Sequence, residues 1–231
     1  MKPVSYRRHR FPPSIIQHAV WLYFWFSLSF RDIEDLLAER GIDVSYETIR
    51  RWCLKFWLVY ALRLRARRAK PFSTWHIDEV FMRIGGKQMY LWRAVDGEGE
   101  VLDVVLQSKR DKIAATKFLR KAMKKHASAP IIIVSDKWRP TAAAIREIIP
   151  SALHIRGKRQ NNRAESSHQP TRRREHKQQR FKSTRSAQQF LSVHASVYNT
   201  FNIQRHLISR KTMRQCRQEA FGAWAEATTA A

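Results

Sequence analysis

Three acidic residues stand in settings where a carboxylate needs an explanation. Asp78 lies in the middle of the alternating stretch WHIDEVF, Asp136 ends the apolar run IIIVSD, and Glu165 precedes a strongly basic segment. An acid within a strand is costly unless it is ion-paired or bound to a metal. The chain has many arginines, so either aspartate could be one half of an ion pair. Both explanations remain open on these residues alone.

Carboxylates in a basic chain suit the cleavage of phosphodiester bonds. That reaction needs an activated nucleophile and a stabilised leaving oxygen, and two Mg²⁺ ions roughly 3.5–4 Å apart supply both. Mg²⁺ prefers hard oxygen ligands, so about three carboxylates make the smallest cage. We expect one acid on a first strand, one after a later buried strand and one on a following helix. Asp78, Asp136 and Glu165 fit this order, at intervals of 58 (136 − 78) and 29 (165 − 136) residues.

The charge of the chain indicates a polyanionic partner. The 231 residues include 44 Lys and Arg against 19 Asp and Glu, which gives a formal net charge of +25. Hydrophobic residues make up 44% of the chain, enough for a core, so disorder is not expected. Nucleic acid is the first choice of partner and an anionic membrane surface the second.

Neither a membrane span nor a secretory signal is expected. The apolar segment 15–30 is shorter than the roughly 20 residues that a span needs, and it contains Gln17 and His18. The basic N-terminal residues are not followed by a signal-like cleavage site. Cys53 and Cys216 lie far apart in helical contexts and fit a reducing compartment. We therefore expect a cytoplasmic protein.

The N-terminal region has a helix-turn-helix pattern. Pro13 and Ser14 mark the start of a helix, Ser29 can cap a second that stops at Gly41, and Ser45 can cap a third. The last of these carries basic residues that are candidates for DNA contacts: Arg50, Arg51 and Lys55. A plain helical hairpin would give the same pattern, and the basic charge favours DNA binding. Residues 61–70 are expected to be a charged connector.

After Pro71 the hydrophobic period changes to that of strands. Segments 73–84, 88–96 and 101–108 predict three antiparallel strands joined by tight turns. A helix (111–126), a buried strand (129–136), a short helix (141–149) and a segment that could form a fifth strand (152–155) follow. Residues 161 to about 198 read as helical. The pattern predicts an α/β fold with a mixed sheet. Asp103 and Asp111 lie at strand edges or turns, where we expect solvation.

Four segments of the chain resemble the DDE transposases of insertion sequences, most closely the IS6/IS26 family. They are LSFRDIEDLLAERGIDVSYETIRRW, WHIDEVFMRIGGKQMYLWRAVDGEGEVLD, VSDKWRPTAAAIREIIP and NNRAESSHQPTRRREHKQQRFKS, which together span nearly the whole chain. The resemblance implies an RNase H-like catalytic core in which Asp78, Asp136 and Glu165 are the metal-binding triad. It implies two Mg²⁺ ions as cofactors, for which Mn²⁺ could substitute.

The same resemblance suggests DNA contacts near the triad. In that family a basic residue commonly follows the glutamate by seven positions, which is Arg172 here. Two turns of continuous helix would place Arg172 on the same face as Glu165. Asn162, three residues before Glu165, could orient that carboxylate or touch DNA. Pro170 departs from an uninterrupted helix, and we expect it to kink the helix or displace its start. The interval between Asp136 and Glu165 leaves no room for an inserted domain.

These patterns predict a transposase with three regions. Residues 1–70 hold an N-terminal arm, the helix-turn-helix and the connector, 71–206 the catalytic core, and 207–231 a helical tail. The expected partners are double-stranded DNA, as terminal inverted repeats and as target, and at least one further copy of the chain in a synaptic complex. A non-catalytic DNA-binding protein, or a nuclease or resolvase that cuts without joining, remains an alternative.

Overall fold

The computed structural model describes residues 3–157, 159–177, 180–204 and 207–230. The chain forms two compact units, one made of Met1–Arg68 with Val193–Ala231 and the other of Ala69–Ser192. The first expected domain boundary, after residue 70, lies two residues from this division. The second, after residue 206, lies outside the described residues, and the structure changes unit within the preceding helix instead.

The first three helices of the first unit begin where the sequence predicts, and two further helices complete the unit. They are α1 (Pro13–Trp25), α2 (Phe30–Ala38), α3 (Tyr46–Ala66), the end of α8 (Thr184–Phe201) and α9 (Arg210–Thr228). Ser29 caps α2 in a reciprocal capping box with Asp32, and Ser45 accepts a hydrogen bond from the backbone of Thr48. Gly41 lies just after the end of α2 and has a φ of +71°, the left-handed conformation in which helices commonly terminate. The predicted helix–turn–helix segments are therefore present.

The helix α1 is buried, as its composition predicts. Ile16, Ala19 and Phe24 lie in the interior of the first unit. Across the described ranges, we find no helix whose length and apolar character would let it cross a membrane.

The helix α3 continues further than the sequence indicated. The prediction that residues 61–70 form a connector is wrong for its first half, because α3 runs to Ala66. Tyr60, Ala61 and Leu64 are buried, so the apolar face of α3 continues along a segment that is otherwise rich in arginine. The long aliphatic stems of arginine are compatible with such a helix surface.

The C-terminal helix α9 packs on α3, so the expected tail belongs to the first unit. The ring of Trp224 meets Tyr60 edge to face at 5.5 Å, and Arg63 Nη1 donates to the carbonyl of Thr229 at 2.6 Å. The N-terminal arm also joins this contact, because the hydroxyl of Tyr6 donates to the carbonyl of Thr228 at 2.6 Å. Chain segments distant in sequence thus close the first unit.

The second unit contains a mixed sheet. Its strands are β1 (Thr74–Ile84), β2 (Lys87–Asp96), β3 (Val101–Gln107), β4 (Ile132–Ser135) and β5 (Leu153–Arg156), with α4 (Lys112–His126) and α5 (Arg139–Ile148) as the crossover helices. Within the described ranges the order is β3-β2-β1-β4-β5. The first three strands are antiparallel, while β4 is parallel to both β1 and β5. The predicted α/β fold with a mixed sheet is confirmed.

One core holds the sheet against its helices. Trp92 and Phe118 are fully buried, and their ring centroids lie 6.0 Å apart between β2 and α4. Trp75, Ile77 and Ile133 extend this cluster beneath the centre of the sheet. Such burial of large side chains is the main favourable term for the unit.

The outer edge of the sheet is protected by a side chain. Gln188 of α8 accepts a hydrogen bond from the backbone of Leu106 at 2.7 Å and donates to the carbonyl of Val104 at 2.9 Å. It thereby satisfies backbone groups of β3 that would otherwise form an open edge.

Asp103 on this strand differs from its expectation. It is buried rather than solvated, and it pairs with Lys125 at 2.8 Å. Asp111 caps α4 by accepting from the backbone of Ala114.

The segment predicted as one helix from 161 to about 198 is interrupted. It forms α6 (Asn162–Ser167), α7 (Gln169–Lys177) and α8. Pro170 lies in the first turn of α7, where its missing N–H costs little. The displaced helix start expected for this proline is therefore present.

Removing the ring of Phe118 should destabilise the second unit. Phe118→Ala empties a site in the packed core, and we expect the free energy of unfolding to fall by about 3–5 kcal/mol in a urea titration. Ile113 lies on the same helix but is 77% exposed, so Ile113→Ala should change it by less than about 0.5 kcal/mol. Equal losses for both variants would contradict this assignment of the core.

Candidate active site

The pairing of β1 with β4 brings two acids to neighbouring strand positions. Ile77 is the register partner of Ser135 in this parallel pair, so Asp78 and Asp136 follow at the next position on each strand. The backbone N–H of Trp138 donates to Asp136 Oδ1 at 3.0 Å. Asn161 Nδ2 donates to the carbonyl of Ile77 at 2.9 Å and ties the segment before α6 to β1.

Glu165 faces the same cavity from α6. This helix packs against β1 and β2, and Glu165 is exposed on it. The cavity has a volume of about 450 Å³ and is lined by Asp78, Arg110, Asp136, Lys137, Trp138, Asn161 and Glu165. Three acids separated by 87 residues of sequence (165 − 78) therefore share one cavity.

A buried histidine lies against Asp78. His168, at the junction of α6 and α7, places Nε2 3.3 Å from Asp78 Oδ2, in a contact that falls short of a well-aligned hydrogen bond. Burial lowers the pKa of His168, and the neighbouring Asp78 opposes that shift without reversing it. The ring is consequently neutral near pH 7 and adds no charge beside Asp78.

Arg110 connects the acids with an aromatic ring. Its Nε donates to Glu79 Oε1 at 2.6 Å, and Nη2 lies 2.5 Å from the same oxygen in an ion pair and 3.7 Å from Asp136 Oδ2. The guanidinium lies over the ring of Trp138, 4.2 Å from its centroid. Such a cation–π contact with a salt bridge holds an arginine in one orientation.

Glu79 is the most enclosed carboxylate of this group, with a side chain only 2% exposed. Burial raises the pKa of Glu79 to about 7, although the hydrogen bond and charge of Arg110 oppose this. The charges of Asp136 and Asp78 add to the rise.

The cavity offers oxygen ligands suited to a divalent cation. Besides the three carboxylates, the amide Oδ1 of Asn161 is buried, and no described residue donates to it. Carboxylate and amide oxygens are the ligands that Mg²⁺ prefers. Among the described residues, no three acidic, histidine or cysteine side chains converge closely enough to hold one ion. The donor types suit Mg²⁺, but the carboxylates are not gathered around one point, and Arg110 and His168 are the present neighbours of Asp136 and Asp78.

Known transposases are similar to this chain in sequence. A family model described as a DDE domain matches residues 72–204. The transposase for insertion sequence-like element IS431mec of Staphylococcus aureus (strain N315) is 32% identical over 168 residues, covering 71% of this chain and 75% of the relative. The transposase for insertion sequence element IS257 in transposon Tn4003 of Staphylococcus aureus is 31% identical over the same shares.

The chain belongs to the DDE transposases of the IS6 family. The transposase also shows partial similarity to two solved structures. The HTLV-2 integrase catalytic core domain in complex with magnesium (trimeric form) has a TM-score of 0.36 at 13% identity, over 70% of this chain and 86% of that one. The simian T-cell lymphotropic virus intasome in complex with the PP2A regulatory subunit B56 gamma has a TM-score of 0.39 at 14% identity, over 57% and 50%.

The other candidate residues near the triad lie outside the cavity. Asn162 is exposed and Arg172 half-buried, and neither lines it. Arg172 instead lies over the ring of Phe81, 5.8 Å from its centroid. The argument that Arg172 shares a helical face with Glu165 is wrong, because α6 ends between them.

The candidate DNA-binding residues of α3 are exposed on the first unit. Arg50 forms two hydrogen bonds with Glu47, at 2.7 and 2.8 Å, while Arg51 is 75% exposed and 3.4 Å from the same carboxylate. Lys55 Nζ lies 2.7 Å from His9 Nε2. All three remain available at the surface.

Sequence reasoning missed four residues of this site. Arg110 and Trp138 were not singled out, although Trp138 follows Asp136 by only two positions. Asn161 lines the cavity, whereas the prediction named its neighbour Asn162. His168 follows Glu165 by one helical turn. A search for polar or aromatic residues within one turn of each acid would have found all but Arg110.

The raised pKa of Glu79 predicts a pH dependence of stability. Because the pKa is about 7 in the folded chain and near 4.5 unfolded, the folded chain holds this proton more tightly. The resulting stabilisation is complete below about pH 4.5 and is lost as the pH rises through 7. Relative to Glu79→Gln, the wild type should lose on the order of 3 kcal/mol of unfolding free energy over this range, measured by urea titrations at several pH values.

Glu147 provides a control of opposite sign. It is exposed, and the hydrogen bond from Lys112 lowers its pKa. Relative to Glu147→Gln, the wild type should therefore gain stability as the pH rises. A difference between wild type and Glu79→Gln that does not change with pH would refute the raised pKa.

Proposed function

We propose that this transposase cleaves a DNA strand at the end of its element and joins that end to target DNA. The observation that carries the proposal is the shared cavity of Asp78, Asp136 and Glu165 in a chain of this family. In the first step, water attacks the phosphorus at the element's end. The P–O bond to the 3′ oxygen breaks, and that oxygen leaves as a 3′-hydroxyl after taking up a proton.

The second step is strand transfer. The freed 3′-hydroxyl loses its proton and attacks a phosphodiester of the target, so that one P–O bond forms as another breaks. The number of phosphodiester bonds is conserved, and no covalent enzyme intermediate is needed. Neither step requires an oxidant or a nucleotide cofactor.

We assign the carboxylates of Asp78, Asp136 and Glu165 to the binding of divalent metal, with two Mg²⁺ ions expected and Mn²⁺ able to substitute. When bound, such ions activate the attacking oxygen and stabilise the leaving one. The backbone N–H of Trp138 fixes Asp136, and the bond from Asn161 to the carbonyl of Ile77 fixes the approach of α6 to β1. These contacts fix part of the site before DNA arrives, and binding of the metal would draw the three carboxylates together.

The helix-turn-helix of α2 and α3 is proposed to recognise the terminal inverted repeats. Its support is the exposed basic surface of α3 at Arg50, Arg51 and Lys55 on a chain of net charge +25. Asn162 and Arg172 remain proposed DNA contacts beside the cavity. Because transposition pairs two ends, we propose a homodimer or larger assembly on double-stranded DNA.

The substitution Glu165→Gln tests the catalytic proposal. It keeps the size of the side chain but removes the charge, so it should reduce Mg²⁺-dependent strand cleavage by at least about 100-fold, which corresponds to roughly 3 kcal/mol. The substrate is a duplex carrying the end of the element, and products are resolved on a denaturing gel. Glu147→Gln removes a charge on the outside of α5 and should leave cleavage unchanged.

The same assay separates the alternatives. If Glu165→Gln cleaves at the wild-type rate, the proposed mechanism fails. Cleavage without joined products, when target DNA is added, would indicate a nuclease or resolvase. End binding without any cleavage in Mg²⁺ or Mn²⁺ would indicate a non-catalytic binder.

The basic face of α3 can be tested by the salt dependence of DNA binding. Arg51→Ala removes one phosphate contact, so the slope of log K against log salt should become less steep by about 1. Arg217, exposed on α9, provides the matched control, and Arg217→Ala should leave the slope unchanged. Equal effects of both substitutions would argue against recognition by α3.

A further inference from the structure

Arg110 is a cation placed among carboxylates, and its surroundings fix its direction. Glu79 accepts a hydrogen bond from Nε of the guanidinium and forms an ion pair with Nη2, and the ring of Trp138 covers one face of the guanidinium. The side chain is nevertheless 38% exposed, and it lines the cavity. A long side chain held in this way has lost most of its rotational freedom before any ligand binds.

The guanidinium retains donors that face the cavity. An arginine has five N–H donors. Glu79 Oε1 accepts a hydrogen bond from Nε and forms an ion pair with Nη2, and the 3.7 Å between Nη2 and Asp136 Oδ2 is too long for a hydrogen bond. Within the described part of the chain, no residue accepts from Nη1. The planar fork therefore has room for an anion with two oxygens.

An anion that enters this cavity must overcome repulsion from its acids. Asp78, Asp136 and Glu165 line it, and the nearby Glu79 adds a further carboxyl. The cationic residues in the lining are Arg110 and Lys137, and Lys137 is exposed. Arg110 is thus the cation placed closest to Asp136 and aligned for directional bonds.

We propose that Arg110, oriented by Glu79 and Trp138, binds a backbone phosphate of the DNA strand at the reacting end. Glu79 is a positioning residue, since it acts only through Arg110. The inference rests on the proposed function for its ligand, because only a DNA enzyme brings phosphates to this cavity. It goes beyond that function by naming the residue beside the acids that binds the phosphate.

DNA binding tests the proposal without relying on turnover. The probe is a duplex with the element's end already cleaved to a 3′-hydroxyl, bound by the full chain in Mg²⁺ over a series of salt concentrations. Arg110→Gln should weaken binding about 10- to 100-fold and make the salt slope less steep by about 1. Arg120→Gln, which removes the same charge from the exposed side of α4, should change neither.

Glu79→Gln separates positioning from simple charge. Removal of a negative charge near DNA should tighten binding if Glu79 acts only electrostatically. If it orients Arg110, the substitution should instead weaken binding severalfold. In the double variant Glu79→Gln/Arg110→Gln, the second change should then add little to the first, because the two residues act as one unit.

The set of variants keeps the test interpretable even if one of them fails to fold. Arg110→Gln leaves Glu79 buried without its partner, which could destabilise the chain. The double variant removes both charges and leaves no buried carboxylate without its partner, so its binding is interpretable if the single variant unfolds. An unchanged salt slope in a folded Arg110 variant overturns the inference, as does tighter binding by Glu79→Gln. If Glu165→Gln still abolishes cleavage, only the inference has failed; if it does not, the proposed function has failed as well.

Discussion

The parallel pairing of β1 with β4 is the constraint on which the site depends. Its register makes Asp78 and Asp136 neighbours at adjacent strand positions, although 58 residues separate them in sequence. Two carboxylates placed side by side repel each other and favour protonation. A positive charge nearby offsets this repulsion, and in the structure Arg110 supplies it beside Asp136, while the neutral ring of His168 packs against Asp78 without adding a second negative charge.

The interruption between α6 and α7 meets a second requirement of the same site. An unbroken helix would continue in the direction of α6 and carry the residues after Glu165 along it. Pro170 lies where a new helix can start, so the chain turns at His168 and leaves that ring buried against Asp78. The break at Pro170 is compatible with the position of Glu165, because α6 reaches β1 and β2 before the break.

Local patterns predicted most of the fold, and tertiary contacts determined what they missed. Alternation and turn glycines located the strands, and Ser29 and Ser45 located the helix starts, since these signals act within a few residues. The burial of Asp103 depends on Lys125, 22 residues away, and the length of α3 depends on α9. Arg110 could not be recognised, because Glu79 and Trp138 become its neighbours only when β1, β3 and β4 have assembled.

A site of this kind sets two opposite demands on one cavity. In the proposed reaction the acids bind divalent cations, and the same negative charge repels the phosphates of the DNA. The large positive charge of the chain raises the local concentration of DNA but is spread over its surface, and so it cannot orient a single phosphate. A guanidinium held in one orientation by a buried carboxylate and an indole ring can do so. The burial of Glu79 suits this arrangement. Water would compete with Arg110 for an exposed carboxylate, and Arg110 could then turn towards Asp136.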